Sequence, residues 1–149
     1  MIRHAQLADL PQVLKLLHAY FAEWNIEYRE DASAVEAALT HPSLGYFLAE
    51  LDGSTAGCVL LRPLPDLPSA AECKRLYVLP EARGHGIAGK LMDTIETHAR
   101  NTGLDWLYLD SKAEFTTAIA MYHRRGYEEI PRFNDNAEAT IFFRKRLTQ

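Results

Sequence analysis

The spacing of hydrophobic positions predicts an alternation of helices and strands along the chain. Between residues 8 and 24 the apolar residues recur every three or four positions, which is typical of a helix with one buried face: Leu10, Val13, Leu14, Leu17, Phe21 and Trp24. The same reasoning predicts helices over residues 31–40, 87–102 and 116–125. Shorter apolar runs between turn residues predict strands at 2–6, 45–50, 56–62, 72–79, 106–109, 127–130 and 140–146. This order indicates an α/β (α+β) fold with a mixed sheet.

A glycine-rich stretch follows the predicted strand at 72–79 and opens the helix that begins near residue 87. Its glycines, Gly84, Gly86 and Gly89, stand among basic residues, and from Pro80 to Lys90 the only acid is Glu81. Acidic residues normally favour the first turn of a helix, because its unpaired N–H groups make that end positive. A first turn without acids therefore favours a bound anion such as a phosphate group. A glycine-rich turn without a ligand is the alternative.

Two nucleotide-binding motifs fit this stretch poorly. Residues 84–89 match G-x-G-x-x-G, the dinucleotide-binding pattern, but residues 80–83 separate the strand from the first glycine. About 60 residues remain after the motif, which is too few for the further βα units of a dinucleotide-binding domain. Lys90 is followed by Leu91 rather than the Ser or Thr of a phosphate-binding loop that holds magnesium.

Composition narrows the possible classes of protein further. The 149 residues carry a formal charge of −4, which argues against general nucleic-acid binding. The chain shows neither a signal-peptide pattern nor an apolar run long enough for a membrane span, so we expect a cytoplasmic protein without membrane association. No linker or repeat interrupts residues 1–149, which predicts one domain.

The six histidines show no ligand spacing, so no metal is predicted. Cys58 and Cys73 lie in apolar strands and are expected to be buried free thiols.

Two motifs together resemble one family of enzymes. The segment Arg83-Gly84-His85-Gly86-Ile87-Ala88 resembles the R-x-x-G-x-A/G signature of the GNAT superfamily of N-acetyltransferases. Downstream, residues 118–127 (AIAMYHRRGY) are similar to that family's A-I-x-L-Y-x-x-x-G-F/Y segment. The motifs occur in the family's order, with one predicted strand between them, and the order of elements agrees across essentially the whole chain.

The resemblance implies a fold and a co-substrate. The fold would be a mixed, mostly antiparallel sheet of about seven strands with about four helices, splayed where the co-substrate binds. Acetyl-CoA would place its pyrophosphate on backbone amides of the glycine-rich loop, namely Arg83, Gly84, His85, Gly86, Ile87, Ala88 and Gly89. Its pantetheine arm would pair with the backbone of Leu76, Tyr77 and Val78. Phe115 stands where the family often has Asn, and Thr116 or Thr117 would replace that contact.

The chemistry of acetyl transfer and the resemblance together suggest catalytic roles. Acetyl transfer needs a neutral amine, an oxyanion donor and a proton for the leaving thiolate. Strand alternation places residues 72, 74, 76 and 78 on one face, which makes Glu72 the candidate base; a solvated acid beside Lys74 or Arg75 is the alternative. Tyr122 lies on the inward face of its helix and is the candidate proton donor to the thiolate, with a core tyrosine as the alternative. The backbone N–H of Val78 is the candidate oxyanion donor.

The acceptor is expected to be the primary amine of a small molecule or an amino-acid-like compound. Family pockets imply contacts from Trp24, Tyr28, Arg132 and Asn134, although Trp24 and Tyr28 also suit core packing and residues 132–136 also suit a simple turn. Acetylation of a protein N-terminus or lysine, and a CoA-binding sensor without turnover, stay open. Many members of the family form homodimers, which this sequence neither predicts nor excludes.

Overall fold

The protein is built around one mixed sheet. The computed structural model describes residues 1–28 and 30–147. Seven strands are hydrogen-bonded in the order β1-β2-β3-β4-β5-β7-β6. Their bounds are β1 (Ile2–His4), β2 (Gly45–Leu51), β3 (Ser54–Pro63), β4 (Ala70–Val78), β5 (Trp106–Ser111), β6 (Glu128–Ile130) and β7 (Ile141–Arg146). Neighbouring strands are antiparallel except β4 and β5, which are parallel, so the predicted mixed and mostly antiparallel sheet is confirmed.

Four α-helices cover the two faces of the sheet: α1 (Leu10–Glu23), α2 (Ala32–Leu39), α3 (Ile87–Asn101) and α4 (Thr116–Arg124). One apolar cluster packs α1 and α2 against β2 and β3, with Val13 and Val35 fully buried. A second cluster packs α3 and α4 against the opposite face, with Ile95 fully buried. Cys58 and Cys73 are buried free thiols, as predicted. No helix within the described ranges is both long enough and apolar enough to cross a membrane.

The predicted order of elements is confirmed, and two of the differences in detail bear on the site. β4 begins at Ala70, earlier than predicted, because it pairs with the end of β3 as far as Pro63 and Ala71. Trp24 does not lie on the buried face of α1; it is the residue that ends the helix, and 39% of its surface is exposed. Leu16 takes a place on the buried face instead. A tryptophan at that exposed end can contact elements beyond its own helix.

The sheet opens between β4 and β5. Their pairing runs from Ala70–Trp106 to Cys73–Leu109, whereas β4 continues to Val78 and stays paired with β3 on its other side. Beyond Cys73 the edge of β4 that would face β5 therefore borders open space. Unpaired backbone groups on such an edge can bind an extended ligand as another strand would. The predicted splay is confirmed.

A β-bulge at Arg75 changes which side chains share a face of β4. Arg75 has a φ of 57°, and the register shifts so that Leu60 faces Lys74 while Cys58 faces Tyr77. Leu76 and Val78 consequently pack on the cluster of α3 and α4, on the same side as Cys73. The prediction that residues 72, 74, 76 and 78 share one face is wrong, because a bulge interrupts the two-residue alternation.

Candidate active site

A cavity of about 1000 Å³ occupies the opening between β4 and β5. Its walls come from β4, the glycine-rich loop, the end of β5, the start of α4 and the end of α1. The predicted site residues that line it are Trp24, Leu76, Tyr77, Val78, Arg83, Gly84, Gly86, Ile87, Ala88, Gly89, Thr117 and Tyr122. Those that do not line it are Glu72, Tyr28, His85, Arg132 and Asn134. Most of the predicted co-substrate residues therefore meet in one place, and most of the predicted acceptor residues do not.

The glycine-rich loop offers a run of free backbone N–H groups. Within residues 1–28 and 30–147, no protein acceptor is hydrogen-bonded to any of the six consecutive amides from Gly84 to Gly89. The amide of Arg83 does not belong to this set, because it donates to the carbonyl oxygen of Pro80 at 3.3 Å. Ile87 is buried and Ala88 and Gly89 are half-buried, and enclosed amides without partners are costly unless a ligand or water accepts from them. These six form a cradle suited to an anion with several oxygens.

The shape of this cradle depends on two glycines. Gly84 and Gly86 have φ values of 87° and 72°, a left-handed conformation that glycine adopts without steric cost. A Cβ atom built on either residue would meet nothing within 4 Å, so the space in front of the loop is open. Gly86 is the N-cap of α3, and the first turn of α3 has no acidic residue. The positive end of the helix therefore faces the open space uncompensated.

Acetyl-CoA also carries a 3′-phosphate, and the resemblance makes Lys90, Arg124 and His85 the candidates to meet it. Arg124 lines the large cavity. Lys90 and His85 instead line a separate cavity of about 220 Å³. The ring of His85 turns back on its own loop, with Nδ1 3.1 Å from the carbonyl oxygen of Ala82. Arg124 is the one of these three that shares a cavity with the cradle.

Glu23, at the end of α1, is hydrogen-bonded to Tyr77 and Arg83, two residues that line the cavity. The Arg83 guanidinium donates to both of its carboxylate oxygens at 2.8 and 2.9 Å, and the Tyr77 hydroxyl donates to Oε1 at 2.9 Å. Arg83 Nε also donates to the carbonyl oxygen of Val78 at 3.0 Å. The hydrogen bond from Arg83, against the opposing effect of burial, holds the pKa of Glu23 below its usual value. These bonds link α1, β4 and the glycine-rich loop into one unit.

Two aromatic rings meet across the cavity. Trp24 and Phe115 have ring centroids 4.1 Å apart at an interplanar angle of 38°, and both line the cavity. Phe115 is the N-cap residue of α4 and makes no capping hydrogen bond through its side chain. This contact joins the end of α1 to the start of α4. Nothing in the local sequence predicts it, because the two residues lie far apart in the chain.

Tyr122 stands where the sequence places it, on the inward face of α4. Its ring packs edge-on against Tyr127 and at a tilt against Phe143, and it lines the cavity. Its hydroxyl makes no hydrogen bond to any residue of the described ranges. Burial, with smaller effects of Cys73, Tyr20 and Asp110, raises the pKa of Tyr122 well above its usual value. The phenol is therefore protonated at neutral pH, which is the state that a proton donor needs.

Glu72 is enclosed by partners instead of facing the cavity. None of its surface is exposed. Oε1 accepts from Arg62 Nε at 2.8 Å, and Oε2 accepts from Lys74 Nζ at 3.4 Å and from Asn134 Nδ2 at 3.0 Å. The negative charge of a buried carboxylate that accepts from two cations and an amide is already compensated, so this group is poorly suited to bind a further ligand. The structure thus gives Glu72 and Asn134 a place in a network beside the cavity.

Asp110 is the acid of this network that does line the cavity. It follows the β4-paired part of β5 and accepts from Lys74 at 3.0 Å, Asn134 at 2.7 Å and Asn136 at 3.2 Å. Burial alone would raise the pKa of Asp110, but the charge of Lys74 and these hydrogen bonds outweigh it and lower the pKa. Asp110 is therefore ionised at neutral pH. No local signal in the sequence marks Asp110, because its partners come from β4 and from the segment before β7.

Tyr28 and Arg132 support nearby segments. Tyr28 stacks on His18 with centroids 3.9 Å apart. Arg132 donates to the carbonyl oxygens of Asn134, Asn136 and Ala139 at 3.0 to 3.3 Å. Arg132 thereby shapes the segment that delivers Asn134 and Asn136 to Asp110.

The described residues of the cavity offer neither a reactive cysteine thiolate nor a group of metal ligands. Cys73 lines it, but burial raises the pKa of its thiol far above the usual value. A protonated thiol is a poor nucleophile. Among the described residues, no group of three or more His, Cys, Asp or Glu side chains is arranged to hold a metal ion.

Comparison with known proteins agrees with this geometry. A sequence model of the acetyltransferase (GNAT) family matches residues 10–127. YjgM of Escherichia coli K12, an uncharacterized N-acetyltransferase, is 28% identical over 138 residues, which is 87% of this chain and 83% of that protein.

Two solved structures share the fold. A GNAT-family acetyltransferase from Staphylococcus aureus Mu50 superimposes with a TM-score of 0.86 over 99% of each chain, at 19% identity. N-acetylglutamate synthase from Neisseria gonorrhoeae, solved with coenzyme A and N-acetyl-glutamate, has a TM-score of 0.82 at 21% identity over all of this chain and 35% of its own. With the cradle, the splayed sheet and the family match in agreement, the chain belongs to the GNAT family and is an acyl-CoA-dependent N-acetyltransferase.

Proposed function

We propose that the protein transfers the acetyl group of acetyl-CoA to the primary amine of a small molecule or amino-acid-like acceptor. The observation that carries this proposal is that the free amides of residues 84–89, the open edge of β4 and the Tyr122 phenol share one cavity. A cavity of about 1000 Å³ is large enough for an extended co-substrate and a small second reactant. The neighbouring N-acetylglutamate synthase, whose product is an acetylated amino acid, supports an acceptor of this kind.

Acetyl-CoA would lie along the cavity from the cradle to Tyr122. The amides of Gly84 to Gly89 would donate to the pyrophosphate oxygens, as helix N-termini commonly do for phosphate groups. The pantetheine arm would pair with the backbone of Leu76, Tyr77 and Val78, on the edge that β5 leaves open. Thr117 and Arg124 line the same cavity, which supports our proposal that Thr117 contacts the arm and Arg124 the 3′-phosphate.

Direct attack in a ternary complex requires few protein groups. The acceptor ammonium loses one proton to water, and its nitrogen attacks the thioester carbonyl carbon. The backbone N–H of Val78 is our candidate donor to the oxyanion. The nitrogen releases a second proton to water, and the carbon–sulfur bond breaks to form the amide. The departing thiolate takes a proton from Tyr122, which regains one from water, so the products are the N-acetyl amine and free CoA.

The role of Glu72 differs from that of a base in contact with the acceptor. Its carboxylate is enclosed, and the bulge at Arg75 removes the shared strand face that made it a candidate. We propose that Glu72 fixes Lys74 and Asn134, which in turn hold Asp110 at the cavity wall.

An amine panel with acetyl-CoA tests the function. The panel contains n-butylamine, phenethylamine, L-glutamate, L-phenylalanine, free L-lysine, an alanyl peptide and an N-blocked lysyl peptide, with release of free thiol as the readout. We expect turnover of at least one small amine and tight acetyl-CoA binding by calorimetry. Acetylation of the peptides alone would replace the small-molecule acceptor by a protein one. Binding of acetyl-CoA with no thiol release for any amine would overturn the proposed turnover and favour a CoA sensor.

A further inference from the structure

Asp110 presents one carboxylate oxygen to its protein partners and leaves the other without one. Lys74 Nζ, Asn134 Nδ2 and Asn136 Nδ2 all donate to Oδ2, at 3.0, 2.7 and 3.2 Å. Within residues 1–28 and 30–147, no donor is hydrogen-bonded to Oδ1. An ionised carboxylate has about four lone-pair sites, so Oδ1 can still accept from a ligand. The three bonds on Oδ2 fix the plane of the group before any ligand arrives.

The surroundings of Asp110 make this free oxygen a binding group for a cation. The Asp110 side chain is 9% exposed and lines the cavity, so Oδ1 acts where water is scarce and charge attraction is stronger than at a surface. Lys74, which lies on Oδ2, keeps the carboxylate ionised. Tyr122 lines the same cavity, so the acid and the proton donor border one space.

We infer that Asp110 Oδ1 receives the ammonium group of the acceptor and aligns its nitrogen with the thioester. This assignment rests on the proposed function and names the residue that recognises the acceptor. A carboxylate with a lowered pKa holds the ammonium form well but is a weak base, so the proton leaves to water while Asp110 stays ionised. Because the side chain is largely enclosed, the acceptor's ammonium reaches Oδ1 through the cavity. The favoured substrates are primary amines.

Binding of n-butylammonium to the CoA-saturated protein tests the inference without turnover. The affinity is measured by NMR titration for the wild type, Asp110→Asn and Asp135→Asn. Asp135 is exposed, lies on the segment that carries Asn134 and Asn136, and does not line the cavity, so its variant removes the same charge nearby. We expect Asp110→Asn to weaken n-butylammonium binding at least tenfold and Asp135→Asn to leave it within twofold. Equal affinities for the wild type and Asp110→Asn, or no binding to the wild type, overturn the inference.

Kinetics and cofactor binding separate this inference from the proposed function. For the best amine of the panel, Asp110→Asn should raise KM at least tenfold with a smaller change in kcat, and Asp110→Glu should recover part of the loss. Calorimetry should give the same CoA affinity for the wild type and Asp110→Asn, since the cradle lies elsewhere. If Asp110→Asn weakens CoA and the amine equally, the residue is structural and the inference fails. If the wild type does not bind CoA at all, the proposed function itself fails.

Discussion

The two ends of the cavity recognise their ligands by different means. The co-substrate end consists of the backbone amides of one continuous loop, Gly84 to Gly89, and the backbone edge of β4. The acceptor end consists of side chains that converge from β4, β5 and the segment before β7, centred on Asp110. The backbone site depends on local conformation, and the side-chain site depends on the whole sheet. Mutations should therefore affect the two ends in separable ways.

The largest expected effect comes from the acceptor end, at Glu72. Glu72→Gln removes the carboxylate charge that pairs with Arg62 and leaves Lys74, among the described residues, paired with Asp110 alone. Loss of one member of a buried ionic network typically costs on the order of 3 kcal/mol, so the free energy of unfolding should fall by about that amount in urea denaturation. The pH dependence of kcat/KM should keep its shape, because Glu72 does not contact the acceptor. An alkaline shift of that profile would instead support Glu72 as the base.

The next largest effect is expected at the co-substrate end, where Gly86→Ala should weaken acetyl-CoA binding. Gly86→Ala puts a methyl group at the open side of the cradle and should weaken acetyl-CoA binding by about ten- to a hundredfold in calorimetry, the loss of one or two charge-assisted hydrogen bonds. Gly103→Ala is the matched control, because Gly103 also has a positive φ and open space at its Cβ but lies outside the cavity. Both variants should lose about 1 kcal/mol of stability through backbone strain. Equal affinity for acetyl-CoA in the two variants would contradict the cradle.

Tyr122 lines the cavity shared by the two ends and should affect chemistry alone. Tyr122→Phe removes the proton donor and should lower kcat at least tenfold in the thiol-release assay. KM for the amine and the affinity for acetyl-CoA should change little, because the ring and its packing against Phe143 are kept. A kcat like that of the wild type would leave Tyr122 as a core residue only.

The smallest effect is expected for Gly89→Ala, which should raise the stability of the fold and lower the affinity for acetyl-CoA. Gly89 lies in the first turn of α3, and a Cβ there would meet nothing within 4 Å. Gly89→Ala should stabilise the fold by about 0.5–1 kcal/mol through helix propensity. The added methyl group borders the cradle and should weaken acetyl-CoA binding about threefold, or about 0.7 kcal/mol. A gain in both stability and affinity would place the phosphate groups away from Gly89.

The co-substrate end could be predicted from the sequence because its signals are local. Glycines at residues 84, 86 and 89, with no acid in the following helical turn, indicate free amides without knowledge of the rest of the chain. Tyr122 was placed correctly for the same reason, since helical spacing alone sets its face. The order of strands and helices followed from hydrophobic spacing and turn residues.

The acceptor end could not be predicted in this way. Strand alternation assigned the wrong face beyond residue 74, because one residue in the bulge at Arg75 reverses it. Asp110 carried no motif, and its role depends on Lys74 and Asn134, which reach it only through the parallel pairing of β4 with β5 and the approach of the segment before β7. The contact between Trp24 and Phe115 likewise exists only once α1 and α4 are packed.

A loop that binds through its backbone leaves its side chains free for other tasks. Arg83 is engaged with Glu23, and His85 turns toward the carbonyl oxygen of Ala82, although both lie in the signature segment. In a saturation-mutagenesis library, the glycines of the loop should therefore tolerate few replacements while position 85 tolerates many. Such a loop can change its surface chemistry, and with it solubility or contacts between proteins, without losing its co-substrate.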